Sequence, residues 1–483
     1  MAKKLVLAVV DGLKPAMLER AIEQDRAPTL KAIIERGAYV PDCAAAFPSV
    51  TPTCAATIAT GTGPDQHHIP SMNWYSRAEC RYVEYGSSFS AARRFGITRQ
   101  LTDTVYNMNG AHLSRNVRTV FETLDDAGLR TAGTTYLIYR GRHRHELARD
   151  TVLVRAAGAL FRHPILGPKE LFYADIFASR KTPCRSQLGM PGQRDQHSGC
   201  VGAYLVEHDL FDFLLLSLPD NDAHSHRFGP HAQIESIEVA DRQLARVADA
   251  GGGLDAFLSD HAIIVAADHS HASVETEIRL ADHFEDFAVL EPSRAGDEEA
   301  EVALCPAQRS AMVYALVEEG RDALVPRIVA TARAVEGVDV VLWNAGEEGA
   351  IARGDAELRF TPGGEVGDAR GGTWSVEGDL AALDATIADG RLVAPSYPDA
   401  LARAWSALTC PTAGDVLLSA APGYEFVDWG GQAHVGGGSH GSLHRSDSLG
   451  VLAWCGTGPA ASEREQWSLR DIAPMVTGHF GAA

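Results

Sequence analysis

Short, continuous apolar runs alternate with amphipathic stretches along this chain. Four of these runs are Leu5 to Val10, Phe213 to Leu218, Ala262 to Ala267 and Leu449 to Cys455. Continuous apolar character is typical of strands that are buried on both faces of a sheet. Between the second and third runs, apolar residues from Ile234 to Val247 recur close to the 3.6-residue period of a helix, which glycines from Gly251 onwards end. The pattern predicts an α/β fold with a mainly parallel central sheet flanked by helices.

Two segments interrupt this pattern. Residues 80–200 are rich in arginine and aromatic side chains and have weak periodicity. Residues 345–410 are acidic and glycine-rich and are typical of turns and short strands. We interpret both as insertions, the first as a cap and the second as β-rich. The 483 residues are therefore expected to form a single domain, 1–483, that carries two inserted segments.

The charge balance limits the classes of ligand. The chain has 43 Lys plus Arg against 63 Asp plus Glu, which gives a formal net charge of −20. A protein that binds a nucleic-acid polymer normally carries a basic stripe, so we expect no such partner. An anionic ligand must be small and must be held locally, by metal ions or by oriented backbone dipoles.

Targeting signals and cysteine usage indicate the cellular setting. No apolar run approaches the roughly 18 residues of a membrane span, and Asp11 cuts the first run before it can serve as a signal-peptide core. The eight cysteines contain no CxxC pair, which argues against a zinc ribbon and a disulfide framework. We therefore expect a soluble, cytoplasmic protein with reduced thiols and no membrane partner. The sequence does not indicate an oligomeric state.

Acidic residues and histidines follow three of the predicted strands. Asp11 ends the first strand, and Asp268 and His269 follow the third. Ligands of an open α/β sheet bind beyond the carboxyl ends of its strands, so these side chains are well placed for chemistry. The alternative for Asp11 is an ordinary Asp-Gly turn.

The second of these strands is followed by two Asp-His pairs, in what we expect to be a loop. Asp220 with His224, and Asp222 with His226, each place a carboxylate and an imidazole four residues apart. Such a mixture of ligands favours Zn²⁺, Mn²⁺ or Fe over Ca²⁺. A solvated polar loop is the alternative interpretation.

A hydroxyl and a further histidine complete the candidates. Thr51, followed by proline, has the pattern of a helix N-cap, and Gly61 suits the C-terminal end of that helix. At this position the hydroxyl faces the backbone N–H groups of Thr53 and Cys54, which form an anion site; a plain N-cap is the alternative. Glycines on both sides of His440 let the backbone approach a metal closely.

Jointly, these residues supply ligands for two metals, which can clamp the attacking and leaving oxygens of an in-line displacement. The motifs resemble those of the alkaline phosphatase superfamily, most closely its type I phosphodiesterase/nucleotide pyrophosphatase family and the related phosphonoacetate hydrolases. The resemblance covers the whole chain in motif order. It rests on Val10-Asp11-Gly12, Phe47-Pro48-Ser49-Val50-Thr51 with Ala59-Thr60-Gly61, Asp222 to Pro230, Asp268-His269 and Ser439-His440-Gly441. It implies an alkaline phosphatase-like α/β fold with inserted cap segments.

The resemblance also implies a role for each matched residue. Two zinc ions are implied, with Mn²⁺ or Fe as alternatives, one beside Asp11, Thr51, Asp268 and His269 and the other held by Asp222, His226 and His440. The pair Asp222 and His226 is favoured over the other Asp-His pair because the family's Gly-Pro follows His226 at the right distance. The implied mechanism is covalent: the metal-activated hydroxyl of Thr51 attacks phosphorus and gives a phosphothreonine intermediate.

The sequence departs from the family just after the nucleophile. Family members carry an asparagine there that contacts the phosphoryl oxygen, whereas here Pro52 to Ala55 follow Thr51. The substrate-binding candidates are therefore the backbone N–H groups of Thr53 and Cys54, together with the side chain of Asn73.

The expected function is two-zinc hydrolysis of small phosphodiesters or nucleotide pyrophosphates. A phosphonate or phosphomonoester hydrolase with the same site is one alternative, and a non-catalytic phosphate binder is a hypothesis of another class. Three arginines and four aromatic residues are further candidates for substrate contact: Arg140, Arg142, Arg144, Trp74, Tyr75, Tyr136 and Tyr139. The alternative interpretation is a solvated surface for the arginines and core packing for the aromatic residues. We interpret five further histidines as structural or loop residues, with His271 and His444 as the first exceptions to expect: His67, His68, His261, His271 and His444.

Overall fold

The computed structural model describes residues 2–147, 163–174, 176–185, 190–292, 299–317 and 319–482. In these ranges the strands are β1 (Lys4–Val10), β2 (Ala38–Ala44), β3 (Asn73–Ser76), β4 (Arg81–Glu84), β5 (Thr131–Thr134), β6 (His143–His145), β7 (Ile165–Gly167), β8 (Glu170–Tyr173), β9 (Phe177–Ala178), β10 (Phe213–Leu218), β11 (His261–Ala266), β12 (Ala272–Ile278), β13 (Val302–Ala307), β14 (Ser310–Ala315), β15 (Val338–Ala345), β16 (Glu348–Arg353), β17 (Ala356–Gly367), β18 (Thr373–Gly378), β19 (Thr386–Ala388), β20 (Arg391–Val393), β21 (Val416–Ala420), β22 (Gly423–Phe426), β23 (Gly438–Ser439) and β24 (Leu449–Cys455).

The α-helices are α1 (Pro15–Glu23), α2 (Pro28–Glu35), α3 (Thr51–Thr60), α4 (Pro64–His67), α5 (Phe89–Phe95), α6 (Ile97–Thr102), α7 (Val120–Asp126), α8 (Arg194–Glu207), α9 (Asp220–Phe228), α10 (Ile234–Ala250), α11 (Leu254–Asp260), α12 (Arg321–Arg333), α13 (Ala400–Leu408), α14 (Arg445–Ser448) and α15 (Ile472–His479). A π-helix spans Asp103–His112, and short 3₁₀ turns lie at Pro230–Ala232, Leu280–His283, Leu380–Leu383, Ala461–Glu463 and Leu469–Asp471.

Eight strands form the central sheet, in the order β2-β24-β11-β1-β10-β5-β8-β9. The five strands from β11 to β8 pair in parallel, whereas β24 and β9 run antiparallel to the strands beside them. The prediction of a mainly parallel central sheet is confirmed. All four apolar runs are strands of this sheet, although the last of them, β24, is antiparallel to β11.

Alternate side chains of the central strands enter two different cores. In β1, Leu5 and Leu7 point to one face of the sheet, and Val6 and Ala8 point to the other. Helices α1, α2, α8 and α10 cover the second face, and α3, α7 and α15 pack against the first. Burial on both faces explains why these strands are continuous apolar runs rather than alternating ones.

A second sheet of nine strands packs on the α3 side of the molecule. Its path is β13-β14-β21-β15-β16-β17-β20-β19, with β18 paired to β17. Met312, Leu342 and Leu417 join the core shared with the central sheet, while their strand neighbours form a third core with α12. Smaller sheets are β22-β12-β23, β3-β4 and β6-β7.

The division of the chain into a core and two insertions stays a prediction. Residues 80–200 contribute β5, β8 and β9 to the central sheet, and the parts at 148–162, 175 and 186–189 lie outside the described residues. Residues 345–410 hold β16 to β20 and α13, and these strands extend the second sheet. Among the described helices, none combines the length and the apolar character that a membrane span requires.

The expectation that all thiols are reduced was wrong for one pair. Cys184 and Cys200 form a disulfide, and six other described cysteines are free. Cys200 lies on α8 and Cys184 precedes that helix, so the packing of the chain brings together two cysteines that are 16 residues apart. The absence of a CxxC pair therefore did not exclude a disulfide.

Candidate metal centre

Three strand ends bring the predicted acidic residues together. Asp11 follows β1 directly, α9 follows β10 after one proline, and Asp268 lies just beyond β11. Strand β1 lies between β11 and β10 in the sheet, and all three run in the same direction. Their carboxyl ends therefore meet at one edge of the sheet, where ligands of α/β proteins bind.

The segment after β10 is a helix and not the loop that we expected. Asp222 and His226 lie one turn apart on α9, so both side chains face the same direction. The helix lacks an apolar stripe; instead, Ser236 donates to Asn221 Oδ1 and Gln233 donates to Ser225 Oγ, each at 2.8 Å. A buried hydrogen-bond network thus holds a helix that hydrophobic periodicity could not predict.

Asp11, Asp268 and His269 form the first of two groups of metal-ligating side chains, here called group A. His269 Nε2 lies 3.5 Å from both Asp11 Oδ1 and Asp268 Oδ2, and 3.2 Å from the Thr51 hydroxyl oxygen. Asp268 Oδ1 accepts hydrogen bonds from the backbone N–H groups of Gly12 and His269, each at 3.0 Å. These contacts fix one carboxylate oxygen and leave the other directed at the group.

Asp222, His226, His271 and His440 form the second group, here called group B. Asp222 Oδ1 is its centre, at 2.9 Å from His271 Nε2, 3.3 Å from His226 Nε2 and 3.4 Å from His440 Nε2. We interpreted His271 as structural and named it as a first exception. The structure places it among the three residues predicted for this metal.

Backbone carbonyls orient the imidazoles of both groups. The Nδ1 atoms of His226, His440 and His269 donate to the carbonyls of Gly438, Ser49 and Ser270, at 2.8, 2.9 and 3.1 Å. An Nδ1–H that is engaged in this way leaves Nε2 with a free lone pair that points into the site. The glycine at position 438 lets its carbonyl reach His226, because a Cβ there would lie 2.8 Å from the Ser225 carbonyl oxygen.

The two groups are immediate neighbours. The rings of His269 in group A and His440 in group B stack with their centroids 3.5 Å apart. Both rings are buried, as is Asp268, while the side chains of Asp11 and Asp222 are partly exposed. Metals held by the two groups would therefore be close enough to act on a single substrate.

Burial and crowding of carboxylates shift the pKa values of the site. Burial raises the pKa of Asp11, and the charges of Asp268 and Asp222 raise it further. Burial also raises the pKa of Asp268, to about 6. Burial alone would raise the pKa of Asp222, but the imidazoles of His226, His271 and His440 around its carboxylate hold it well below the usual range. Burial lowers the pKa of His269 to about 4, so this imidazole is neutral and able to bind a cation.

Thr51 begins α3 as its first helical residue, one position later than the N-cap role that we predicted; Val50 is the N-cap. The N–H of Cys54 donates to the Val50 carbonyl oxygen at 3.0 Å, so it is already engaged. The Asn73 side chain is buried in β3, where its Nδ2 donates to Glu84 Oε2 at 3.0 Å. Of the three substrate-binding candidates, the N–H of Thr53 is therefore the one at the helix terminus that has no hydrogen-bond acceptor among the described residues.

The other sequence candidates contact partners outside the two groups. Asp220 accepts from the backbone N–H groups of Gly192 and Asp195, and His224 contacts the Ala232 carbonyl oxygen. The three arginines form ion pairs with carboxylates, at distances of 3.1 Å for Arg140–Glu122, 2.8 Å for Arg142–Asp126 and 2.9 Å for Arg144–Glu146. The aromatic candidates Trp74, Tyr75, Tyr136 and Tyr139 are buried in hydrophobic clusters.

The sequence matches a family model over most of its length. Residues 5–443 match the type I phosphodiesterase/nucleotide pyrophosphatase family. The chain belongs to this family. It is accordingly a phosphoester hydrolase, and the ligand groups A and B fit the metal dependence that is typical of the family. A comparison with curated protein sequences finds no match.

Solved structures with the same fold include phosphonoacetate hydrolase from Sinorhizobium meliloti 1021. Its complex with phosphonoformate has a TM-score of 0.56 and 18% identity, and the match covers 100% of this chain and 96% of that one. Its complex with phosphonoacetate has a TM-score of 0.56, 17% identity and the same coverage. The similarity confirms the alkaline phosphatase-like fold that the motifs implied.

Proposed function

We propose that this phosphoester hydrolase uses two metal ions and Thr51 as nucleophile to hydrolyse small phosphodiesters or nucleotide pyrophosphates. The observation that carries the proposal is the position of the Thr51 hydroxyl, 3.2 Å from His269 Nε2 and therefore at the edge of group A. Group B lies directly beside it, through the stacked rings of His269 and His440. A nucleophile at one of two adjacent metal sites is the arrangement that an in-line displacement needs.

The donor set supports a transition metal at each group. Three carboxylates and four imidazoles are present, a mixture that suits zinc, with Mn²⁺ or Fe as alternatives. Asp11 Oδ1 and His440 Nε2 are buried and have no hydrogen-bond partner among the described residues. Buried polar atoms of this kind are rare in folded proteins, and a cation bound at each group would satisfy one of them.

The residues of the chain have distinct roles in the proposed reaction. Bound metals would lower the pKa of the Thr51 hydroxyl and stabilise charge on the leaving oxygen. Thr51 Oγ1 attacks phosphorus from the group A side, and the ester bond on the opposite side, next to group B, breaks. The resulting phosphothreonine is then cleaved by water, which restores the hydroxyl. The Thr53 N–H, at the positive end of α3, is the proposed donor to the phosphoryl oxygen.

A second candidate is hydrolysis of a phosphonate or phosphomonoester at the same site. It is favoured by the fold similarity to phosphonoacetate hydrolase, whose structures hold phosphonoformate and phosphonoacetate. Both candidates use Thr51 and both ligand groups, so they differ only in the bond that is cleaved. The net charge of −20 supports a small substrate for either reaction.

An activity panel separates the two candidates. The purified protein is assayed with bis(p-nitrophenyl) phosphate, p-nitrophenyl phosphate, an aryl phosphonate and phosphonoacetate, and its metal content is measured by elemental analysis. We expect about two metal equivalents and a preference for the diester. A preference for the monoester or a phosphonate would support the second candidate, and a protein that cannot bind metal would refute both.

Substitution of Thr51 tests the nucleophile. Thr51→Ala should lower kcat at least about 10⁴-fold, because loss of a covalent nucleophile has costs of this order. Metal content should be nearly unchanged, since none of the metal-ligating side chains is altered. Thr51→Ser is the matched control, because it keeps the hydroxyl and should retain measurable turnover. Equal activity of the Ala and Ser variants would rule out a phosphothreonine.

A further inference from the structure

Two buried side-chain amides attach the turn after β1 to helix α9. Asn221 Nδ2 donates to the carbonyl oxygen of Asp11, and Gln233 Nε2 donates to the carbonyl oxygen of Gly12, each at 2.8 Å. Both amide residues have 0% exposure. Two successive carbonyls of the turn, one of which belongs to a ligand of group A, are therefore bonded to residues that lie more than 200 positions further along the chain.

The amide of Gln233 has a partner at both of its polar atoms. Nε2 also donates to Ser225 Oγ at 2.8 Å, and Oε1 accepts the backbone N–H of Lys14 at 3.0 Å. A backbone carbonyl can only accept and a backbone N–H can only donate, so the contacts with Gly12 and Lys14 fix which end of the amide is the nitrogen. Gln233 thus joins both ends of the turn at 12–14 to α9.

The two amides belong to one buried network. Ser225 Oγ, which accepts from Gln233, donates in turn to the carbonyl oxygen of Asn221 at 2.8 Å. Asn221 Oδ1 accepts from Ser236 Oγ, also at 2.8 Å, and both serines are buried. Hydrogen bonds in a low-dielectric interior are stronger than those in water, and a satisfied network holds its members in one arrangement. We therefore expect the turn and α9 to behave as one rigid unit.

This rigid unit connects the two ligand groups. The turn carries Asp11 of group A, and α9 carries Asp222 and His226 of group B. Asn221 directly precedes Asp222 in the chain, and Ser225 directly precedes His226. The network therefore ties the backbone of a group A ligand to the backbone beside two group B ligands, while the ligand atoms themselves stay free to bind cations.

Neutral amides suit this task because the residues they join carry charge. The carboxylates of Asp11 and Asp222 repel each other, which would push the turn and α9 apart in the absence of metal. Asn221 and Gln233 donate to backbone carbonyls, so their hydrogen bonds do not depend on the charge of either carboxylate. The arrangement of the ligands is thus in place before a cation binds.

We propose that Asn221 and Gln233 are positioning residues that set the separation between the two metal ions. The proposal rests on the proposed function, since it needs a metal at each group. Two metals that clamp one phosphoryl group lie roughly 3.5 to 4 Å apart. A misplacement of about 1 Å can lower the rate about 100-fold, even when the substitution is remote from the chemistry. The two amides act through the backbone of the turn and do not contact the reacting atoms.

The separation is tested by electron paramagnetic resonance of the protein loaded with about two equivalents of Mn²⁺. Magnetic coupling between two Mn²⁺ ions depends on their distance, so the spectrum of a coupled pair responds to a change in separation. We expect the wild-type protein to show a coupled pair. Gln233→Met keeps the length of the side chain but removes both of its donated hydrogen bonds, so the coupling should change.

The same variant is assayed with the substrate that the wild-type protein hydrolyses fastest in the activity panel. We expect kcat to fall about 100-fold because the two metals no longer hold the phosphoryl group correctly. Asn221→Leu removes the other amide at nearly constant volume and should produce the same two changes. It also decides the question if Gln233→Met does not fold.

Gln243→Met is the matched control. Gln243 is another buried glutamine, with 8% exposure, and it lies on α10 beside Gly199 of α8, outside the network. This variant should keep the wild-type spectrum and kcat. Thermal unfolding of all three variants without metal measures how much each substitution destabilises the fold, independently of the metals.

The outcomes separate the positioning role from the reaction on which it rests. Lower melting temperatures with an unchanged Mn²⁺ spectrum and kcat would show that the amides only stabilise the fold, which overturns the inference and leaves the proposed function standing. The same spectral change in Gln243→Met would also overturn the inference, since any buried substitution would then produce it. A wild-type protein that shows no coupled pair at saturating Mn²⁺ would overturn the two-metal reaction together with the positioning role.

Discussion

His271 is the one member of group B that the motif resemblance does not assign to the metal. Its Nε2 lies 2.9 Å from Asp222 Oδ1, the shortest of the three imidazole contacts of that carboxylate, and its ring is buried. A fourth protein ligand would fill a tetrahedral site, whereas catalytic zinc sites keep three ligands and one open position. We therefore expect His271 to position Asp222 and not to bind the metal directly.

The test of this role is His271→Ala, and the contact that the variant removes determines the expected loss of metal affinity. The variant removes one hydrogen bond to a metal-ligating carboxylate, and such losses cost about 10- to 100-fold in metal affinity. The same bond helps to hold the pKa of Asp222 low, so its loss makes the carboxylate a more readily protonated ligand. Metal affinity is measured by competition with a chelating dye, and stoichiometry is measured by elemental analysis after dialysis.

Two further variants calibrate the result. His226→Ala removes a predicted ligand and should lose about one metal equivalent under the same conditions. His224 lies on the same helix but contacts a backbone carbonyl outside the group. The metal affinity of His224→Ala should therefore equal that of the wild type. If His271→Ala loses a full equivalent, as His226→Ala should, the reasoning is refuted and His271 is a ligand.

Three other predictions concern the stability of the scaffold. Arg309→Met should lower the free energy of unfolding by about 3 to 5 kcal/mol in urea, because it leaves the fully buried Asp447, now 2.7 Å from the guanidinium, without its partner; a loss below about 1 kcal/mol would contradict this. Burial raises the pKa of Glu84 from 4.5 to about 7, so its contribution to stability is full below pH 4.5 and is lost as the pH rises through 7. Glu84→Gln should remove this decline, which approaches about 3 kcal/mol. If the free energy of unfolding in urea falls equally in both proteins between pH 5 and pH 8, the prediction is wrong. Cys200→Ser removes the disulfide to Cys184, which is 16 residues away, and should lower the free energy of unfolding by about 3 kcal/mol. An unchanged melting temperature would show that the disulfide does not constrain the unfolded chain.

The central sheet could be predicted because its strands are buried on both faces. Continuous apolar runs are typical of strands in a covered sheet, and ligands bind beyond the carboxyl ends of such strands. This rule predicted that Asp11 and Asp268 lie at the same edge of the sheet. The proline after Thr51 and the glycine at 61 predicted α3 to within one residue, since both have fixed backbone preferences.

Other features depend on contacts that no local pattern contains. Helix α9 has polar residues on all sides. Its buried side chains Asn221 and Ser225 accept hydrogen bonds from Ser236 and Gln233, which lie beyond the end of the helix. The second sheet is assembled from strands between 302 and 420, so its pairing depends on long-range register. Gln233 meets the carbonyl of Gly12 from a position 221 residues further along the chain, and it belongs to no recognisable motif.

The strongly acidic composition is compatible with an anionic substrate because of where three of the carboxylates lie. Asp11, Asp222 and Asp268 are drawn together by neighbouring strands, and the pKa of Asp11 is raised in part by the charges of the other two. Such crowding is unfavourable unless cations occupy the site. Two dications would bring four positive charges against three negative ones, so this one point of the molecule would attract a phosphate. The remaining acidic surface would still repel a polyanion, and a substrate must therefore be small enough to present its phosphate at this edge of the sheet alone.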